Sequence, residues 1–199
     1  MCIRTIEQYG DNGSSEVYQQ ERLLKINSLR GKKNFSIYYA FFMAGFIEGE
    51  GSLFASINHV PKTRLGIQIN VGFALYQHKS GLPLLWSLRD YFHTGRIYRK
   101  SGISDVWVYE INDRISLLEK VIPYFEKYIL PFSCKYGDLS QGTYFNFKQL
   151  LEAFQQKKHL EKIGLIECVK LVYKTNPYSK GKKRLRTLQE TLEIISHHS

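Results

Sequence analysis

The chain has 199 residues, 43% of them hydrophobic, with a formal net charge of +10 and a pI near 9.4. That length suits one domain with a proper core, and the charge suits a polyanionic partner, either nucleic acid or an anionic membrane surface. Cys2, Cys134 and Cys168 are odd in number and far apart, which argues against a disulfide framework or a zinc site and fits a reducing compartment.

Residues 1–35 are polar, with a Gly-Asp-Asn-Gly-Ser-Ser breaker from Gly10 to Ser15 and a short helix expected from Glu16 to Leu29. They read as an appendage. Nothing there resembles a signal peptide, and Glu7, Asp11, Glu16 and Glu21 argue against an acid-poor transit peptide.

From Ile37 to Ile47 every residue is apolar, aromatic, Ala or Gly. A helix of that composition must be buried on more than one side, yet it is too short to span a bilayer. Ala40, Ala44, Gly45 and Gly49 form a stripe of small residues where a second backbone can approach closely, so the stripe predicts a helix-to-helix seam. Glu48 and Glu50 arrive where the helix ends, with Gly49 and Gly51 as terminators. The helix dipole disfavours carboxylates at that end. A divalent cation would compensate for them; two solvated glutamates at the end of a core helix are the plainer alternative.

Residues Ser52 to Asn58 alternate in part, and Leu65 to Tyr76 alternate cleanly between apolar positions and Gly, Gln, Asn, Ala or Tyr. Both read as strands with one wet face. Ser80 caps a helix with Pro83 in its first turn and Leu84, Leu85, Leu88 and Phe92 on its apolar face, stopped at Gly95. A hairpin follows, from Arg96 to Lys100 and from Asp105 to Tyr109, turning at Ser101-Gly102. Asp113 caps the next helical segment, which Pro123 should split in two. A loop carrying Lys135 leads to helices expected from Tyr144 to Lys158 and from His159 to Lys174. Beyond the Asn176-Pro177 breaker, a basic run from Lys180 to Arg186 precedes an amphipathic helix to Ile195.

The pattern is helix, two strands, helix, two strands, then helices. It predicts an α+β fold, a four-stranded antiparallel sheet with helices on one face and the polar face open. From Gly51 to Ser104, seven basic residues stand against Asp90 alone. The wet face is expected to carry Ser52, Ser56, Asn58, Gln68, Asn70, Arg96, Tyr98 and Lys100, with Phe54, Tyr76, Trp107 and Tyr109 packing on sugars or thymine methyls. Lys62, Arg64 and Lys79 add charge around it. Side chains on alternate positions of a twisted ribbon are what major-groove reading requires. An ordinary solvated sheet face is the alternative.

Met43-Ala44-Gly45-Phe46-Ile47-Glu48-Gly49-Glu50-Gly51 resembles the signature of the LAGLIDADG homing endonucleases, and the likeness extends over residues 36–175. It implies the mixed αββαββα fold of that family with a saddle-shaped sheet. It also implies domain limits at 36–175, between a polar N-terminal extension (1–35) and a basic C-terminal tail with a short helix (176–199). One copy of the signature implies a homodimer built on Ala40, Ala44, Gly45 and Gly49, acting on a long pseudo-palindromic duplex. The resemblance further implies Mg²⁺, with Mn²⁺ substituting, held by the Glu50 side chain and the Gly49 carbonyl. It gives Gln77 and Lys135 catalytic supporting roles, and Glu48 a structural one. The expected activity is site-specific double-strand DNA cleavage that promotes intron homing, in a chloroplast or mitochondrion. An intron maturase acting on RNA, or a DNA-binding regulator without catalysis, are the alternatives; no membrane partner is expected.

Overall fold

A computed structural model describes residues 37–102, 105–136, 142–175 and 185–198. The expected N-terminal helix, Lys180–Arg184 of the basic run and the Asn176-Pro177 breaker lie outside them. The elements are α1 (Ile37–Glu50), β1 (Gly51–His59), β2 (Ile67–His78), α2 (Leu82–Phe92), β3 (Arg96–Arg99) and β4 (Val106–Ile111). A helical run over residues 114–132, here α3, follows, then α4 (Thr143–Gln155), α5 (Lys162–Thr175) and α6 (Leu188–His197). The strands form one antiparallel sheet in the order β1-β2-β4-β3.

The period of two decides which face is covered. Leu53 and Ala55 on β1, and Ile67, Ile69, Val71, Phe73 and Leu75 on β2, are buried beneath the helices. Tyr109 and Ile111 continue that layer on β4. The interleaved residues Ser52, Ser56, Asn58, Gln68, Tyr76, Arg96 and Tyr98 are exposed on the other side. Phe73 sits at the centre of the core, in edge-on contact with Phe92, Tyr109 and Phe125 at ring distances of 6.2, 6.4 and 5.9 Å.

One local expectation changes. Pro123 does not divide its segment, because wide π-type turns at Leu117–Val121 and Phe125–Ile129 flank it. A wider turn accommodates the missing N–H and the ring without breaking the helical path. Asp113 caps this run as expected, its carboxylate accepting from the Ser116 N–H at 2.8 Å. At the other end of the chain, α6 begins with a reciprocal Thr187/Glu190 capping box and packs on α5, burying Thr191 and Ile195.

Candidate active site

Helix α1 delivers the site. Ala40, Met43, Ala44 and Ile47 pack into the chain's own core, and the buried Tyr124 hydroxyl donates to the Ala40 carbonyl at 2.6 Å. Ala40 and Ala44 therefore do not form an outward seam: a helix apolar on all sides has to spend one side on its own domain. The outward side carries Tyr38 (83% exposed), Phe41 and Phe42 (61% exposed). Gly45 and Gly49 continue it, both exposed, with open space where a Cβ would stand. Their spacing makes Tyr38, Phe42, Gly45 and Gly49 one continuous stripe that runs to Glu50.

The last turn of α1 is tied down by the segment after α3. Glu48 accepts from the Ser133 hydroxyl at 3.0 and 2.9 Å and from the Lys135 N–H at 2.9 Å. Lys135 Nζ donates to the Glu48 carbonyl at 3.2 Å and to the Gly51 carbonyl at 2.6 Å. The Tyr136 hydroxyl reaches the same Gly51 oxygen at 2.9 Å. Carbonyls left over at a helix C-terminus are thus satisfied by a cation and a phenol, which also offset the dipole beside two carboxylates. Burial pulls the Lys135 ammonium below its ordinary pKa, while the charges of Glu48 and Glu50 oppose the shift.

Glu50 differs from Glu48 in having no hydrogen-bonding or ion-pair partner among the described residues, and it is exposed. Gln77 lies on β2 two residues past Leu75, the register partner of Gly51, and packs over the turn Lys79–Gly81. The pairing thus brings Glu50, Gly49, Gln77 and Lys135 to one end of the sheet. The described residues contain no group of three or more His, Cys, Asp or Glu able to hold a metal. The Glu50 carboxylate, next to the exposed Gly49, fits half of a hard-cation site, the rest being left to water, phosphate or a second copy.

On the open face, Glu110 is the organiser that the sequence reading missed. Its Oε2 accepts from Arg96 Nε and Nη2 at 3.2 and 2.8 Å and from the Tyr98 hydroxyl at 2.9 Å. The bond to Glu110 raises the Arg96 pKa, and burial followed by that bond raises Tyr98. Lys100 lies 4.6 Å above the Tyr76 ring, and Lys79 pairs with Asp105 at 3.5 Å. Phe54 lies across Gly72. Ser52, Ser56, Asn58, Gln68 and Asn70 occupy the same face, and Lys62 is exposed in the turn between β1 and β2. Arg64, in that turn, bonds the Leu160 carbonyl.

Trp107 and Tyr109 belong to the other side. Trp107 packs against the core, and Tyr109 is fully buried with its hydroxyl on the Thr94 carbonyl at 2.9 Å. The hairpin register explains this: Arg96 and Tyr98 pair with Glu110 and Val108, so those two residues, not the aromatics between them, share the open face. Alternation through Ile111 carried the signal in the sequence.

Residues 43–151 match the family model described as LAGLIDADG endonuclease. The chain is 35% identical over 168 residues to the DNA endonuclease I-CeuI of Chlamydomonas moewusii, covering 75% of this chain and 76% of that protein. It superimposes on the group I intron-encoded homing endonuclease I-CeuI complexed with DNA with a TM-score of 0.75 and 27% identity, over 90% of this chain and 87% of that one. The archaeal intron-encoded homing endonuclease I-Vdi141I complexed with DNA gives a TM-score of 0.72 at 26% identity, over 81% and 96%. The meganuclease I-SmaMI bound to uncleavable DNA gives 0.60 at 28% identity, but 72% of this chain covers only 45% of it. By motif, topology and likeness along most of its length, the chain belongs to the LAGLIDADG homing endonuclease family.

Proposed function

We propose that the protein is a homodimeric homing endonuclease that binds a long pseudo-palindromic DNA duplex and hydrolyses a phosphodiester in each strand. The observation that carries this reading is the course of α1: an exposed apolar stripe, open at Gly45 and Gly49, ends on an exposed Glu50 carboxylate that has no hydrogen-bonding or ion-pair partner among the described residues. Two copies packed along that stripe would bring two such carboxylates together beneath the joined sheets. Because this fold covers less than half of I-SmaMI, a second copy here would take the room that I-SmaMI fills with the rest of its chain.

Glu50 and the Gly49 carbonyl of each subunit would hold the divalent cation, Mg²⁺ or in its place Mn²⁺. The bound cation supplies Lewis-acid activation of water and neutralises charge at the reacting phosphate. Lys135, fixed on the carbonyls of Glu48 and Gly51, contributes a positive charge beside the site, and Gln77 offers an amide to orient water. The open face reads the major groove through Ser52, Ser56, Asn58, Gln68, Asn70, Arg96, Tyr98 and Lys100, with Phe54 and Tyr76 making apolar contacts. A nine-residue strand spans about 30 Å, so one subunit reads only half of a long site. Residues 36–175 form the catalytic unit with α6 docked on it, and the gene belongs to an intron, as the intron-encoded relatives suggest, in what we take to be an organellar genome.

The test is cleavage of a randomised duplex library in Mg²⁺ by the native protein and by Glu50→Gln, with the cut ends sequenced. One long two-fold site is expected, cut by the native protein alone while the variant still binds it. Full cleavage by Glu50→Gln would refute the metal assignment.

A further inference from the structure

β4 stops at Ile111, opposite Phe73, so the first half of β2 has no strand beside it on that edge. Arg114, the first residue of α3, fills the gap. Its guanidinium stacks 3.9 Å over the Phe154 ring, Nη1 lies 3.1 Å from His159 Nε2, and Nη2 donates to the Ile69 carbonyl at 3.5 Å. None of these partners is anionic, and among the described residues no carboxylate pairs with Arg114. Burial accordingly pulls the guanidinium below its ordinary pKa. Burial and Arg114 likewise hold His159 toward its neutral form. With Nε2 accepting from Arg114, the ring proton sits on Nδ1, which is buried and has no hydrogen-bond partner among the described residues.

A half-buried cation without a counter-ion is costly unless something else brings the charge. Two hollows meet at this residue. One, of about 450 Å³, lies on the open face with Ser56, Asn70, Asn112 and the Arg96–Glu110 ion pair on its wall. The other, of about 220 Å³, opens beside the turn between β1 and β2, with Arg64, Gln68 and His159 on its wall. Arg114 has five N–H donors, of which the contacts above use two, and the aromatic ring holds the fork in one plane. A planar fork with spare donors in an open hollow suits a phosphate oxygen pair.

We propose that Arg114 and Arg64 form a notch for one backbone phosphate of the bound duplex, at the edge of the sheet and outside its base-reading surface. The notch rests on the DNA-binding reading above. Its role is to fix the register of the half-site, because phosphate contacts position a protein while base contacts specify. The Ile69 carbonyl and the Phe154 ring hold the guanidinium in place before DNA arrives, so little ordering remains for binding to supply.

The experiment measures duplex affinity against salt concentration for the native protein, Arg114→Gln and Arg64→Gln, on the selected target and on a scrambled duplex, without cleavage. Each variant should flatten the slope of log affinity against log salt, by up to about one, and weaken binding to both duplexes alike. Neutral methylphosphonates placed one at a time along the half-site should then identify one phosphate whose neutralisation weakens the native protein more than Arg114→Gln, which keeps only Arg64 there. If Arg114→Gln fails to fold, Arg64→Gln takes its place in that comparison, since Arg64 is exposed and among the described residues bonds the Leu160 carbonyl alone. Native slopes in the folded variants, or equal loss at every methylphosphonate, would overturn the notch while leaving DNA binding intact. No duplex binding by the native protein would overturn both.

Discussion

The two faces of the sheet are made from alternate residues of the same strands, yet they are held by different forces. The covered face is a continuous layer of Leu53, Ile69, Val71, Phe73, Leu75, Tyr109 and Ile111. It is held by apolar burial, which has no direction and tolerates no gap. The open face is held by directed bonds and ring contacts, in which Glu110 gathers Arg96 and Tyr98, Lys100 covers Tyr76, and Phe54 lies on Gly72. A substitution on the first face should therefore appear as lost stability, and one on the second as altered binding.

The sharpest statement of that contrast is Phe73→Ala. The side chain is fully buried among three aromatic neighbours, so its removal leaves a cavity they cannot all move to fill. A loss of about 3–5 kcal/mol is expected in urea unfolding. A loss below about 1 kcal/mol would mean that this layer is loosely packed and that the contrast is false.

Much of this division could be read in the sequence, because a period of two is local. The alternation from Ile67 to Tyr76 separates the two sides of β2, although Gly72 and Ala74 on the open side are buried and Leu65 and Gly66 fall in the turn before the strand. The order of helices and strands followed from caps and turns such as Asp113 and Ser101-Gly102. Trp107 was assigned by residue type rather than by its place in the alternation, and residue type misleads where an aromatic fits either side. Ala40 and Ala44 show a different limit. On a helix with no polar residue, periodicity does not tell which apolar side meets its own core and which is left outside. At the site, Glu50 was legible in its motif and Lys135 was reached by resemblance. The bonds from Ser133, Lys135 and Tyr136 to the end of α1 join residues over 80 positions apart, and no local pattern carries them.

Gly72 tests where the contrast fails. It is on the open face but buried, and a Cβ there would stand 2.4 Å from the Phe54 ring and 3.0 Å from the Ile111 carbonyl. Gly72→Ala should cost about 1–3 kcal/mol, an effect of overpacking that belongs to the covered face. Removing the ring should relieve most of it, so Gly72→Ala measured in a Phe54→Ala background should cost clearly less, a coupling that thermal or urea unfolding of the four proteins measures directly. Equal cost in both backgrounds would place the strain in the Ile111 backbone.

Glu110→Gln should have the smallest effect on stability and the clearest on binding. Glu110 is nearly covered, its side chain 13% exposed, but its Arg96 partner is 64% exposed, so solvent screens the pair and its loss should cost under about 1 kcal/mol. The amide keeps one acceptor oxygen but no charge, which leaves the Arg96 guanidinium unneutralised on the open face proposed to read DNA. The variant should bind scrambled duplex more tightly, with a steeper salt dependence, because one more positive charge is available to phosphate. Affinity for the target should rise less, since Arg96 and Tyr98 lose the carboxylate that fixes their donors in register. The ratio of target to scrambled affinity should therefore fall. An unchanged ratio would show that Arg96 and Tyr98 keep their positions without Glu110, and that packing rather than the charged network orders the open face.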